Sequence, residues 1–270
     1  MNSNPALRET VTLDEQSATA LSAGPGLLIG LAPGDRPVTL PDGTRHVLVA
    51  TGAGGGTTTV LRSLAAQAIA HGARTDFLDI AYGEHRWAEG LPGVRCLEDV
   101  AAIHDYLLLA AADLNNRRQV PAEADWGSRR VLVVEELARL TDALRQYWLD
   151  TRPETQLDEA PGVEALSILL TSGRAYGWTV LAGDTGGIVP GRGPVHHRHF
   201  PTRILGYGSR LLWRQLAAGQ SAPPREPVTG RFHLFADRTS TPLQALYLTE
   251  AQARAAASSP SPGAAQWGSA

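Results

Sequence analysis

No lysine occurs in this chain of 270 residues; all 24 basic side chains are arginine. Lysine as Schiff base, general base or phosphate clamp is excluded with it. Cysteine is almost as scarce. The single Cys96 rules out an intrachain disulfide and any zinc site built from cysteine pairs, and it reads as a buried, reduced thiol. No run approaches the roughly 20 apolar residues of a membrane span. Residues 1–16 are polar and acidic where a secretory leader would be basic and then apolar. The expected compartment is the cytoplasm. An excess of positive charge is missing too: the net charge is −3 and the pI near 6.2, so any DNA contact has to be local or shared with other subunits.

What is present is an alternation of strand and helix patterns in a chain long enough to bury a large core. Residues 27–31 and 36–40 read as short strands around Pro33-Gly34-Asp35, an N-terminal hairpin leading into a buried strand at 47–50. A helix is predicted over 58–71, with Val60, Leu61, Leu64, Ala65, Ala68 and Ile69 on one face and Gly72 as its stop. A strand over 75–80, an amphipathic helix over 97–118 and a loop over 121–127 follow. The apolar run 131–134 has the look of a parallel strand covered on both faces. Helices over 139–149 and 163–176 precede another buried strand at 178–182, and 232–235 with 244–248 form a C-terminal hairpin at the sheet edge about a turn at 237–242. Residues 1–22 are expected to be a flexible arm, 23–254 one domain, and 255–270, rich in Ala, Ser, Pro and Gly, a disordered tail.

The chemistry-bearing segment lies between the 47–50 strand and the helix after it: Thr51-Gly52-Ala53-Gly54-Gly55-Gly56-Thr57-Thr58-Thr59. Strand, glycine-rich turn and helix in this order make a phosphate cradle, in which backbone N–H groups surround the phosphates, a lysine brings charge to the β and γ oxygens, and a hydroxyl holds magnesium. With Gly56 as the second glycine of G-x-x-x-x-G-K-[ST], Thr51 stands at the first glycine, Thr57 at the lysine and Thr58 at the magnesium hydroxyl. Sliding by one restores Gly52 as first glycine and turns the second into Thr57. Both registers lose the lysine. The all-arginine composition matches a GC-rich codon bias, but bias alone would have spared a catalytic lysine, so Thr57 records a changed demand on the loop.

Val131-Leu132-Val133-Val134 ends in Glu135-Glu136, an apolar strand closing on acids. In working enzymes an aspartate there supports magnesium and a following glutamate polarises the attacking water; Glu135 is one methylene longer than that aspartate, and Glu136 stands in the catalytic position. The 178–182 strand closes on Asp184, where a γ-phosphate sensor would sit and where an acid repels phosphate. Together these imply an α/β fold, a P-loop NTPase-like, doubly wound and mostly parallel sheet with its ligand crevice at the strand C-terminal ends.

Other candidates have blander readings. His196-His197-Arg198-His199 lacks a neighbouring Cys, Asp or Glu at ligand spacing and reads as solvated; no zinc, haem or flavin is expected. Ser172 and Ser209 lack a nucleophile elbow. Tyr147-Trp148 and Trp213 read as core rather than as base-stacking platforms. Arg117-Arg118 and Arg129-Arg130 make a basic surface only if they face the same side.

Over residues 27–253 the chain resembles the FtsK/SpoIIIE/HerA branch of P-loop ATPases, including the TraB-type plasmid transfer proteins of actinobacteria. The resemblance rests on Ile29-Gly30 and its hairpin, the loop 51–59, Leu61-Arg62-Ser63-Leu64, the run 131–140 with Glu136-Leu137-Ala138, Gly173-Arg174-Ala175, the segment Phe200-Pro201-Thr202-Arg203-Ile204, and Leu248-Thr249-Glu250. It implies a hexameric, ATP-driven motor moving double-stranded DNA, and Arg203 as a subunit contact. The lysine-free loop, Glu135 and Asp184 depart from that pattern, so the chain reads as a degenerate member similar to the small standalone FtsK-like proteins of actinobacteria.

Three functions stay open on sequence. The first is a non-motor interaction or regulatory protein, binding itself or FtsK-like relatives in DNA transfer or segregation, with ATP and magnesium bound weakly or not at all and double-stranded DNA met only within an assembly. The second is an ATP-binding translocase-type ATPase in which an arginine, Arg62 for one, replaces the lysine charge. The third is a DNA-binding module without ATPase activity.

Overall fold

The structure, a computed structural model, describes residues 6–12, 26–40, 44, 46–52, 54–81, 83–120, 128–153, 159–184, 197–207, 210–217, 219–224, 228–236 and 239–259. Its strands are β1 (Leu27–Ala32), β2 (Arg36–Leu40), β3 (Val47–Ala50), β4 (Arg74–Leu78), β5 (Val94–Leu97), β6 (Arg130–Val134), β7 (Trp178–Gly183), β8 (Thr202–Gly206), β9 (Arg231–Ala236) and β10 (Thr239–Ala245). The helices are α1 (Thr57–Ala70), α2 (Val100–Arg117), α3 (Leu137–Thr151), α4 (Pro161–Ser172), α5 (Arg210–Leu216) and α6 (Glu250–Ser258). All ten strands form one sheet in the order β2-β1-β10-β9-β8-β3-β7-β6-β4-β5. From β8 to β5 the pairing is parallel, and from β2 to β8 antiparallel.

The fold is the α/β sheet expected, with 47–50, 131–134 and 178–182 at its centre. Val47, Leu48, Val49 and Ala50 are each fully buried, because α1 covers one face of the sheet and the α2, α4 and α5 side covers the other. α1 ends at Gly72 (φ 87), where the N–H of Ala73 bonds Ala68 O at 3.0 Å and that of Gly72 bonds Ile69 O at 2.8 Å. This left-handed stop favours glycine. Gln67, buried in the middle of α1, ties the helix to β1: its amide nitrogen donates to Leu28 O at 2.9 Å and its oxygen accepts from Leu28 N at 2.7 Å.

Several boundaries move. The C-terminal hairpin is not at the sheet edge: β9 pairs with β8 and β10 with β1, so the pair joins the parallel half to the N-terminal hairpin. Gly30 permits this, since a Cβ there would lie 2.8 Å from Ala245 Cα. β10 takes in residues 239–242 from the expected turn, while 237–238 lie outside the described residues. The helix expected from 97 starts at Val100, capped by Asp99, whose side chain accepts from Ala102 N; Val94–Leu97 pairs with β4 as an edge strand instead. The 202–206 segment, read only as a motif, is a strand. At the N-terminus, Val11 bridges to Leu246 and Arg8 meets Asp35 through two contacts of 2.7 and 2.8 Å, so residues 6–12 lie against the domain. α6 continues to Ser258, past the boundary drawn at 255, because Thr249 and Gln252 form a capping box and Arg254 donates to Trp87 O and Glu89 O. The rest of the expected arm and tail, 1–5, 13–22 and 260–270, lies outside the described residues, as do 121–127.

His46 stands just before β3 and stitches it to β7: Val180 N donates to its Nδ1 at 2.9 Å. Burial depresses the imidazole pKa from 6.5 to about 4. The unfolded chain therefore binds a proton that the folded chain refuses between these values, so the stabilisation is complete above about pH 6.5 and is lost as the pH falls toward 4. Urea denaturation is expected to show a loss of about 2 kcal/mol between pH 7 and pH 5 from this group, absent in His46→Asn, whose carboxamide oxygen keeps the acceptor without the titration.

Candidate functional site

The C-terminal ends of β3, β7, β6 and β4 converge on the glycine loop. Gly52, Gly54 and Gly56 all have positive φ (79, 68 and 100°), and Gly56 caps α1 in the left-handed region without any side-chain hydrogen bond, which leaves the first amides of the helix facing the loop. Gly55 N donates to Gly52 O at 3.0 Å, closing the turn. A Cβ on Gly54 would meet nothing within 4 Å, whereas one on Gly55 would stand 2.7 Å from Thr51 Oγ1. Ala53 lies outside the described residues.

Thr57, at the position of the lysine, is buried and turns toward Thr51, with the two hydroxyl oxygens 2.7 Å apart. Thr58 donates its hydroxyl to Oε1 of Glu135. That contact joins two positions that the register with Gly56 as second glycine assigns to one site. Thr59 follows on α1, partly buried. Glu135 is itself buried, its N–H donates to Leu78 O at 3.2 Å, and its Oε2 lies 2.7 Å from Nε2 of His85. Glu136 is the residue before α3, partly buried, with its carbonyl accepting from Leu140 N. Asp184 is buried after β7, and its N–H donates to Val49 O at 2.9 Å, level with the base of the loop. Gly183 makes room for this assembly, since a Cβ there would lie 2.7 Å from the Thr57 methyl and overlap Glu135 O.

The cradle fits a phosphate in its backbone and a divalent cation in its donors. Thr58 and Glu135 are hard oxygen ligands, and a hydroxyl that donates to a carboxylate keeps a lone pair to offer. It does not fit the lysine's part. Arg62 does not supply it either: its guanidinium lies toward α6, 3.3 Å from Glu250. The helical spacing of Arg62 from Thr57 sets that direction. Among the described residues no group of three or more His, Cys, Asp or Glu is placed to hold a metal. His196 and the side chain of His197 lie outside the described residues, and His199 sits against Arg198 with its pKa lowered by burial and by that charge.

Some residues at the site carried no sequence signal. His85 follows β4 in a segment shaped by Asp79, whose carboxylate accepts from Ala81 N and Gly83 N at 3.0 and 3.2 Å. Gly206, at the end of β8, lies so close to Thr51 that a Cβ would stand 2.9 Å from Thr51 Cα, and Trp213 steadies it by donating to Gly206 O at 2.9 Å. Trp213 is thus core, as read, although its pairing partner was not. The tip of the Phe232 ring comes within 3.6 Å of the place of a Gly56 Cβ. Arg117 and Arg130 do face the same side, where both reach Asp113 (3.0 and 3.8 Å) and Arg130 covers the Trp178 ring. Cys96, expected to be buried, is only partly buried on β5, and the burial it has pushes its thiol up to about 11.

No family model matches the chain, and no curated protein matches it in sequence. Solved structures do match the fold. The conjugation coupling protein TcpA of pCW3, in a monomer form with ATPγS, superposes with a TM-score of 0.71 at 18% identity, over 91% of this chain and 72% of that one. The cytoplasmic domain of the Type VII secretion ATPase EccC from Thermomonospora curvata gives 0.67 at 18%, over 90% and 28%. The chain has the fold of FtsK/SpoIIIE-type ATPases. EssC from Geobacillus thermodenitrificans (ATPases 2 and 3) gives 0.67 at 13%, over 97% of this chain and 52% of that one, so the chain spans about half of that EssC structure and less of the EccC one. No helix among the described residues is long and apolar enough to cross a membrane.

Arg203, expected as a subunit contact, is bonded within its own chain. It opens β8, and its guanidinium donates to Phe200 O at 2.9 Å and Leu216 O at 2.7 Å, lashing the end of α5 to the sheet, with half-burial lowering its pKa. These bonds make an intramolecular clamp at the end of the strand away from the loop. Arg203→Ala is expected to lower the unfolding free energy by about 1–3 kcal/mol in urea, with Arg203→Lys restoring less than half, because a single ammonium lacks the fork that spans both carbonyls.

Proposed function

We propose that this chain is a non-motor relative of the FtsK/SpoIIIE-type ATPases, a regulatory or interaction partner in DNA transfer or segregation whose nucleotide site has lost its drive. The observation that carries the reading is Thr57: the position that brings positive charge to the β and γ phosphates holds a buried hydroxyl bonded to Thr51, in a chain without any lysine. Positive charge held against the transferring phosphoryl group supplies much of the rate enhancement in phosphoryl transfer, and losing one such contact costs about 3 kcal/mol or more. Partners in this reading are a second copy or an FtsK-like relative, with double-stranded DNA met only through the assembly. TcpA, a conjugation coupling protein, supports a setting in plasmid transfer by likeness of fold.

A second reading, an ATP-binding translocase-type ATPase with a lysine-free loop, is favoured by the retained Thr58–Glu135 pair. A magnesium ion held by those two residues would supply charge to the phosphate oxygens. Backbone amides of 54–58 would orient the phosphates, and Glu136 would take the proton of the attacking water.

Calorimetric titration with ATP and magnesium separates the two. The non-motor reading expects weak or no binding by the wild type and no steady hydrolysis above background, with Thr57→Lys tightening binding by about tenfold or more as the phosphate charge regains a partner. Brisk wild-type turnover, abolished by Glu136→Gln, would overturn it in favour of the second.

A further inference from the structure

Glu135 is held at both ends. Its Oε1 accepts the Thr58 hydroxyl and its Oε2 lies 2.7 Å from His85 Nε2, with the two side chains only 1% (His85) and 4% (Glu135) exposed. Nδ1 of His85 has no hydrogen-bond partner among the described residues, so Nε2, which faces a carboxylate, is the nitrogen that donates. The ring is fixed independently of Glu135: Phe77 packs on it at 4.7 Å between centroids, the His85 carbonyl accepts from Ala88 N at 3.0 Å, and Asp79 pins the preceding backbone through Ala81 and Gly83.

An aspartate at the end of β6 would have one torsion fewer. The extra methylene of Glu135 gives the carboxylate further rotamers, most of which carry it away from the loop, and ordering it costs conformational entropy. We propose that His85 is the positioning residue that removes this freedom: its N–H pins Oε2, which holds Oε1 on Thr58 and couples the segment after β4 to the glycine loop. The proposal rests on reading Glu135 as the carboxylate that serves the phosphate cradle. In this arrangement the loop cannot shift Thr58 without breaking its partly buried hydrogen bond to Glu135, and Glu135 cannot turn outward without leaving the buried His85 N–H unpaired. His85 touches neither phosphate nor cation; it acts through Glu135.

Hydrogen exchange of the full-length protein, without nucleotide, tests this at the amides of Gly55 and Val60, which close the turn and the first turn of α1. His85→Phe keeps ring volume against Phe77 and removes the donor; His85→Gln places an amide N–H where Nε2 stood. His85→Phe is expected to speed exchange at Gly55 and Val60 by about tenfold or more with the β1–β2 amides unchanged, and His85→Gln to stay within about threefold of wild type. Wild-type protection in His85→Phe, or equal loosening in His85→Phe and His85→Gln, would overturn the proposal, because ring packing alone would then explain the residue. If His85→Phe does not fold, His85→Asn, whose amide falls short of Glu135, takes its place; protection equal to that of His85→Gln then overturns it. No outcome of the ATP titration alters this readout, so the two proposals fail separately.

Discussion

The carboxylate of Glu135 is the constraint on which the strand ends depend. An acid at this depth is costly unless its oxygens are bonded, and the bonds it makes come from three separate parts of the chain: α1 through Thr58, the segment after β4 through His85, and β4 itself through Leu78 O to the Glu135 amide. None of these is close to Glu135 in sequence. The glycine loop is therefore held in register with β6 by side-chain chemistry as well as by the sheet.

Two departures from a working phosphate loop turn out to be one. Thr51 stands where the first glycine would be, and Thr57 where the lysine would be, and their hydroxyls satisfy each other in a space closed by Gly55, Gly183 and Gly206. A buried hydroxyl left alone would cost free energy; here each threonine supplies the other's partner. The two threonines and the three glycines around them thus form one self-consistent packing unit.

The sequence showed the parallel core because buried parallel strands are continuous apolar runs, as in 47–50, 131–134 and 178–182, and because glycine after such a run has few other uses. It showed Thr58, Glu135 and Asp184 as strand-end and helix-start positions, which a fixed topology brings together. It did not show β5 or β8, whose four and five residues carry an arginine each and break the apolar pattern. The edge position assigned to the C-terminal hairpin was wrong for a related reason: strand order is a long-range property, and the deciding feature, Gly30 admitting Gln244 and Ala245, is a close approach between residues more than two hundred apart. His85 was invisible because a lone histidine in a loop has no spacing to read. Arg203 was visible only as part of a motif, and the carbonyls it binds had no signature at all.

The placement of β10 has a consequence for the order in which the protein assembles. Among the described residues β1 pairs with β2 and β10, and β10 lies about two hundred residues further along the chain, so it is synthesised long after β1. Until it appears, the N-terminal hairpin has no third strand beside it and leans on α1 through Gln67, while the α1-to-β8 half can already pair its own parallel strands. The β1–β2 hairpin must therefore wait for a strand some two hundred residues downstream, and the sheet closes like a clasp. A chain cut short before residue 239 would leave both the β1 edge and β9 exposed, each a template for the wrong partner.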